Sequence, residues 1–183
     1  MDAGRLRRLG AQRVEVSGNL KFDNALDEGK RAEGRAWREQ LGRPVLLLAS
    51  TREGEEAMLL AASGVLPSEV LIVIVPRHPR RFDEVASLAS GRRSRRDPPR
   101  AEDRVYLGDT MGEMDFYYAA SDVAVIGGSF APRGGQNLLE ACAAGVPVVF
   151  GPSMFNFSEA ARLALEAGAA IQAADPAAAI REA

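Results

Sequence analysis

Short runs of Val, Ile and Leu recur along the chain, and each gives way to a longer segment whose apolar residues fall at helical spacing. The runs are VEVSG at 14–18, VLLLAS at 45–50, VLIVIVP at 70–76, RVYLG at 104–108, DVAVIGG at 122–128 and VPVVFG at 146–151. Each ends in Gly, Ser or Pro. Within VLLLA, VLIVIV and VAVI the apolarity is continuous rather than alternating, which predicts strands buried on both faces, as in a parallel sheet between two layers of helices. The fold class expected is therefore α/β, doubly wound around a mainly parallel sheet. Helices are predicted over 28–41, 54–63, 80–90, 112–120, 136–144, 157–167 and 176–183. GRRSRRDPPR at 91–100 breaks this rhythm, because it has nothing apolar beyond its prolines. It is expected to be a mobile, solvated loop, a reading that outweighs attraction of its arginines to anionic lipid head groups.

Composition narrows the picture without changing it. A chain of 183 residues suffices for one well-buried domain, and 46% hydrophobic with 26% charged residues is ordinary for a globular fold. The net charge of −2 gives no general basic field, so nucleic acid is not an expected partner. Cys142 is the only cysteine, cannot form an internal disulfide, and sits among small helix formers, as a buried thiol in a reducing compartment would. No run of about 18 apolar residues occurs and MDAGRLRRLGAQR lacks the apolar core of a signal peptide, so the chain is expected neither to span a membrane nor to be exported.

In an open α/β sheet ligands bind where strands end at their carboxyl edge. Three polar loops follow apolar runs there: PRHP at 76–79, GDTMGE at 108–113 and GGSFAPRGGQNLLE at 127–140. In PRHP the prolines stiffen the turn and leave Arg77 and His78 as the side chains able to meet an anion; a rigid connection with a solvated arginine fits equally well. His78 is the only histidine, so no histidine metal site can be built, and a structural role in the turn is expected. In GDTMGE, Thr110 and Glu113 have the spacing of a capping box, while Gly112 would let a ligand approach backbone NH groups at the helix start.

The third loop has its glycines as GG-x5-GG. That is neither the G-x-G-x-x-G dinucleotide fingerprint nor a P-loop, which disfavours nicotinamide and ATP sites. It offers close backbone approach at both glycine pairs and a helix predicted from Gln136, a start suited to phosphate. Glu140, one turn in, would accept hydrogen bonds from two ribose hydroxyls if it faces the cleft, and is a solvated helix residue if it does not.

GNLKFD at 18–23, PRHP at 76–79, GDTMGEMDFYYAASDVAVIGGSF at 108–130, GGQNLLEACAAGVPVVFGP at 134–152 and NFSEA at 156–160 together resemble the bacterial 3-deoxy-D-manno-octulosonic acid (Kdo) transferases of lipid A biosynthesis. The resemblance implies a GT-B glycosyltransferase of which only the C-terminal, donor-nucleotide domain is here, over 13–183, with 1–12 as a remnant of the interdomain linker. It implies that the CMP part of CMP-Kdo is held by Pro76, Arg77, Met111, Gly112, Glu113, Asn137, Leu138, Leu139 and Glu140, with Lys21, Ser129 and Gly135 as additional donor contacts. It further implies inverting transfer of Kdo to a lipid A precursor without metal or other cofactor. The general base, and attachment to the cytoplasmic face of the bacterial inner membrane, would lie in the absent N-terminal part, so no catalytic residue is assigned to this chain. Gln136 departs from the family, which commonly has His in GGHN; glutamine keeps a donor and an acceptor but cannot become cationic. The alternatives are a GT-B transferase or epimerase using a UDP-sugar, and a non-catalytic nucleotide-binding module.

Overall fold

The computed structural model describes residues 2–15 and 26–183. The GNLKFD segment with Lys21, and residues 16–18 of the VEVSG run, lie outside the described residues. After the exposed helix α1 (Asp2–Arg8), the chain alternates as expected through α2 (Glu28–Leu41), β1 (Val45–Thr51), α3 (Glu55–Ala62), β2 (Leu71–Pro76), α4 (Phe82–Ala86), β3 (Gly91–Arg92) and β4 (Val105–Leu107). It continues through α5 (Met114–Ala119), β5 (Val123–Ile126), α6 (Leu139–Ala143), β6 (Val148–Phe150), α7 (Ser158–Glu166), β7 (Ala170–Gln172) and α8 (Pro176–Glu182).

The strands form one sheet in the order β3-β4-β2-β1-β5-β6-β7. Every pairing is parallel. The order reverses at β1, so its carboxyl end and that of β5 flank the crevice in which such sheets take ligands. Side chains alternate across a strand, and β1 shows what continuous apolarity is for. Leu47 and Ala49 join one core with Val73, Phe116, Tyr118 and Leu138, whereas Leu46 and Leu48 join the other with Ile74, Leu59 and Ile180. Both faces are covered, α2, α5, α6 and α7 lying on one and α3, α4 and α8 on the other. Truncating a leucine in either layer to alanine would cost about 2–5 kcal/mol.

Three expectations need correcting. The helix predicted over 80–90 is a 3-10 turn at 79–81 followed by the five-residue α4. The strand β7 escaped notice because AIQ, set among alanines, carries too little β-branched signal. GRRSRRDPPR is not a free loop: Gly91–Arg92 pair with Tyr106–Leu107 as the sheet's edge strand. The Tyr106 hydroxyl, which burial pushes up to about 12, donates to the Asp97 carbonyl at 2.7 Å and ties down the far end of the segment.

Helix α2 packs on α5 through Gly34, the buried residue of its inner face. A Cβ at Gly34 would lie 2.3 Å from the Phe116 carbonyl oxygen, so the two backbones approach more closely than any side chain permits. Arg38 of α2 also donates from Nε and Nη2 to Asp122 at 3.0 Å, and the same carboxylate takes the Val45 NH at 2.7 Å. Helix α2 and the starts of the central strands β1 and β5 are thereby joined in one place. Gly34→Ala is expected to separate α2 from α5 and to lower stability by about 1–3 kcal/mol, read as a shift of the urea midpoint; an unchanged midpoint would contradict this packing.

Candidate functional site

At the carboxyl end of β1 the chain kinks. Ser50 has a positive φ of 55°, and the register with β2 slips between Ala49 and Thr51. The kink makes room for the end of β5: a Cβ on Gly127 would be 2.5 Å from the Ser50 carbonyl oxygen. Glu55, the fully buried first residue of α3, locks the two strand ends together. Its carboxylate accepts from the backbone NH groups of Arg52 at 2.8 Å, Gly128 at 2.7 Å and Phe130 at 3.2 Å. Three NH donors and a helix start are what a buried anion needs in place of water. In dinucleotide-binding folds this first strand-helix turn cradles phosphate; here the protein's own carboxylate occupies it.

The next residue, Glu56, is equally buried and accepts from Thr51 Oγ1 at 2.6 Å and from Arg81 at 2.6 and 3.1 Å. The hydrogen bonds that Arg81 donates to Glu56 raise its pKa further, so the guanidinium stays charged. It fastens the PRHP turn to α3. On the same edge Arg77 is exposed; its NH donates to the Thr51 carbonyl at 3.0 Å and its Nε to Gln136 Oε1 at 3.1 Å. That contact brings two of the three expected loops together across β1. Arg77 makes no ion pair among the described residues, so its guanidinium keeps its charge for a ligand.

In the third loop, Asn137 Oδ1 accepts from the Leu139 NH and Asn137 Nδ2 donates to Glu140 at 2.9 Å. Residues 136–138 are not helical, and α6 starts at Leu139 and is five residues long. Its dipole is correspondingly small, and the positive charge at this edge comes from guanidinium groups. Pro76 is buried at the end of β2 and Leu138 has no exposed surface, so neither offers a side chain to a ligand. Leu139 and Glu140 are half-buried. Ser129 is fully buried; its hydroxyl donates to the Ile126 carbonyl at 2.6 Å and accepts from the Gly151 NH at 2.8 Å. Both hydrogen bonds of this hydroxyl are made inside the fold. Gly135 is closely packed as well, since a Cβ there would lie 2.1 Å from Met154 Sδ. At both glycine pairs other parts of the protein approach closely.

The second loop also differs from expectation. No capping box forms, because Gly112, at φ 70°, breaks the helical path and α5 begins only at Met114. Thr110 hydrogen-bonds the Glu113 carboxylate instead, and its Oγ1 lies 2.6 Å from the Tyr117 hydroxyl. Met111 is largely exposed, and open space surrounds the place of a Cβ on Gly112, so this tip is accessible. The arginines at 92 and 93, expected to be solvated, brace it. Arg92 and Ser94 hydrogen-bond the buried carboxylate of Asp109. Arg93 reaches Glu113 and Glu33 and lies 3.9 Å over the Phe116 ring. Burial alone would raise the Asp109 and Glu113 carboxyls, but hydrogen bonds from Ser94 and Arg92 at the first, and from Thr110 and Arg93 at the second, hold both below their ordinary values. A cavity of about 810 Å³ lies beside Glu113; its charged lining is Glu33, Asp97 and Glu113 against Arg93 and Arg96, which does not favour an anion.

Sequence reasoning missed Arg52, Glu55, Glu56 and Arg81. The two acids stand in a helix-like stretch where solvated glutamates are the rule, and only contacts about 25 to 75 residues away reveal their burial.

No protein-family model matches the chain. It is 54% identical over 187 residues to the 3-deoxy-D-manno-octulosonic acid transferase of Bordetella pertussis, an alignment covering 95% of this chain and 44% of that protein. It is 37% identical to the transferase of the same name from Haemophilus influenzae, over 85% of this chain and 39% of that one. The chain thus spans less than half the length of these curated relatives. The crystal structure of the C-terminal CMP-Kdo binding domain of WaaA from Acinetobacter baumannii superposes with a TM-score of 0.77 at 34% identity, covering 82% of this chain and 85% of that one.

Replacing Glu55 by Gln turns one acceptor oxygen into an NH2 that faces backbone donors, and should lower stability by about 2–3 kcal/mol. In the surviving folded fraction the Gly128 and Phe130 amides should exchange hydrogen faster, and unchanged protection would refute the anchoring role. Asp109 and Glu113, with folded pKa values below the ordinary 3.8 and 4.5, stabilise the fold fully above about pH 4.5; this contribution is lost as pH falls through the folded values. Asp109→Asn should therefore lower the melting temperature near neutral pH and flatten its acid limb, with parallel profiles for the two proteins speaking against the brace.

Proposed function

Since the chain belongs to the 3-deoxy-D-manno-octulosonic acid transferase family, we propose that it is the donor-binding half of an inverting glycosyltransferase that moves Kdo from CMP-Kdo to a lipid A precursor. The Arg77–Gln136 contact carries this reading for the site. It joins two of the three segments that resemble the family's nucleotide-binding motifs, at the sheet edge where an open α/β fold takes its ligand, and leaves an unneutralised guanidinium there.

In this reading the CMP phosphate sits against Arg77. Asn137, the backbone of Leu138 and Leu139, and the Glu140 carboxylate face the nucleotide from one side, and the Met111-Gly112-Glu113 tip closes on it from the other. Adjacent strands are about 4.8 Å apart, so the edge from β4 to β5 spans roughly 15 Å, room for a nucleoside monophosphate. Glu140 suits vicinal ribose hydroxyls, which donate to a carboxylate.

The chemistry of such a transfer has an acceptor hydroxyl attack the anomeric carbon of Kdo while the bond to the CMP phosphate oxygen breaks. Negative charge then grows on the departing phosphate. Arg77, positioned by Gln136 on a stiff proline turn, stabilises that charge, and one well-placed donor can contribute about 3 kcal/mol. The base that takes the acceptor proton, the acceptor itself and attachment at the cytoplasmic face of the inner membrane belong to the other half of the full-length enzyme. Residues 13–183 act as the donor unit and 1–12 as linker. Among the described residues no helix is long and apolar enough to cross a membrane.

Calorimetric titration tests the proposal. The chain should bind CMP in preference to UMP and UDP and catalyse no transfer by itself, and Arg77→Gln should weaken CMP at least tenfold. A clear preference for UDP would instead point to a UDP-sugar enzyme and sink the Kdo reading.

A further inference from the structure

The carboxyl end of β1 holds a second cation that the cytidine site leaves unused. Thr51 and Pro76 are partners in the β1–β2 register, so Arg52 and Arg77, the residues that follow them, leave adjacent strands side by side. Among the described residues the Arg52 guanidinium makes one hydrogen bond, from Nη1 to His78 Nε2 at 2.7 Å. Its Nε is buried and without a hydrogen-bond partner, and among the described residues no carboxylate pairs with the group. A buried orphan donor costs about 1–3 kcal/mol, and native proteins rarely carry one unless a ligand or water completes it.

His78 prepares this arginine without neutralising it. Burial first, and then the charges of Arg52, Arg77, Arg80 and Arg81, lower the His78 pKa, so its ring is neutral at neutral pH. A neutral ring that accepts at Nε2 carries its proton on Nδ1, which fixes the tautomer and orients the guanidinium. The groups that face the ring are cationic, and Glu56 and Glu84 are already taken by Arg81.

We propose that Arg52 receives the carboxylate of the donor sugar, next to the phosphate at Arg77. The assignment rests on the reading of the chain as the CMP-Kdo-binding half, and adds to it the residue that distinguishes this sugar. In an ulosonic acid activated at its anomeric carbon, the carboxylate and the phosphate oxygen are bonded to the same carbon, so the donor arrives with two neighbouring anions. Two unneutralised guanidinium groups, launched from strands about 5 Å apart, match that pair. The planar fork of arginine also fits a carboxylate bidentately. A neutral sugar would leave the guanidinium without an anion and its buried Nε without an acceptor, which is how a polar site rejects an analogue that lacks the matching group.

The test compares CMP with CMP-Kdo on the full chain by calorimetry. The wild type should bind CMP-Kdo more tightly than CMP. Arg52→Gln should lose at least tenfold for CMP-Kdo while staying within twofold for CMP, Arg52→Lys should lose less for CMP-Kdo than Arg52→Gln does, and Arg77→Gln should weaken both ligands. Equal weakening of both by Arg52→Gln would place Arg52 on the phosphate, and no weakening of either would place it outside the site; each result overturns the assignment. If Arg52→Gln fails to fold, Arg52→Lys answers alone: a loss confined to CMP-Kdo supports the proposal, and any other pattern overturns it. Failure of the wild type to bind CMP would be the distinct failure of the donor-domain reading, and the proposal would fall with it.

Discussion

The carboxylate of Glu55, buried with three backbone NH groups around it, is the constraint on which the ligand edge depends. A parallel sheet ends in a row of strand tips whose loops have no regular partners, and such loops scatter unless something ties them. Glu55 ties the tip of β1 to the tip of β5, across the one place where the winding of the sheet reverses. Its neighbour Glu56, through Arg81 and Thr51, ties the tip of β2 to the same helix. Two consecutive acids on one helix thus order three loops. An anion in this role has a further effect: it occupies the first strand-helix turn, so a phosphate must be met by side chains nearby rather than by that turn.

A division of labour follows along the edge. On the β4 side, charges are paired internally: Asp109 with Arg92, and Glu113 with Arg93. These pairs shape a loop. On the β1 and β2 side, Arg52 and Arg77 have no anionic partners among the described residues, so their charge is open to the crevice at the switch point. The same residue type therefore serves as brace in one place and as ligand group in another. Only the partners distinguish the two.

That distinction explains how far the sequence could be read. The buried strands were legible because Val, Ile and Leu in unbroken runs have few other uses, and α2 was legible to its end because its apolar spacing stops at a glycine in the left-handed region. Arg77 was legible as a candidate because prolines flank it. GRRSRRDPPR was misread because its stabilising partners, Asp109 and Glu113, come up to twenty residues later, and local composition cannot show an ion pair. The Thr110–Glu113 spacing suggested a cap, yet the left-handed Gly112 between them prevents the helix from starting there. Ser129 and Gly135 stand within a ligand-like glycine cluster, and only the three-dimensional neighbours Gly151 and Met154 show that they serve the fold.

The glycines at the strand tips carry a consequence for anyone who would rebuild this edge. Gly127 sits against the backbone of Ser50, and Gly151 against the Ser129 carbonyl, where a Cβ would lie 2.5 Å from that oxygen. Each loop is the mould in which the next is cast. Grafting a single loop from a relative with another donor preference would leave its neighbours shaped for the loop that was removed. The loops after β1, β5 and β6 form one cassette, and a change of specificity by loop exchange has to transplant all three together.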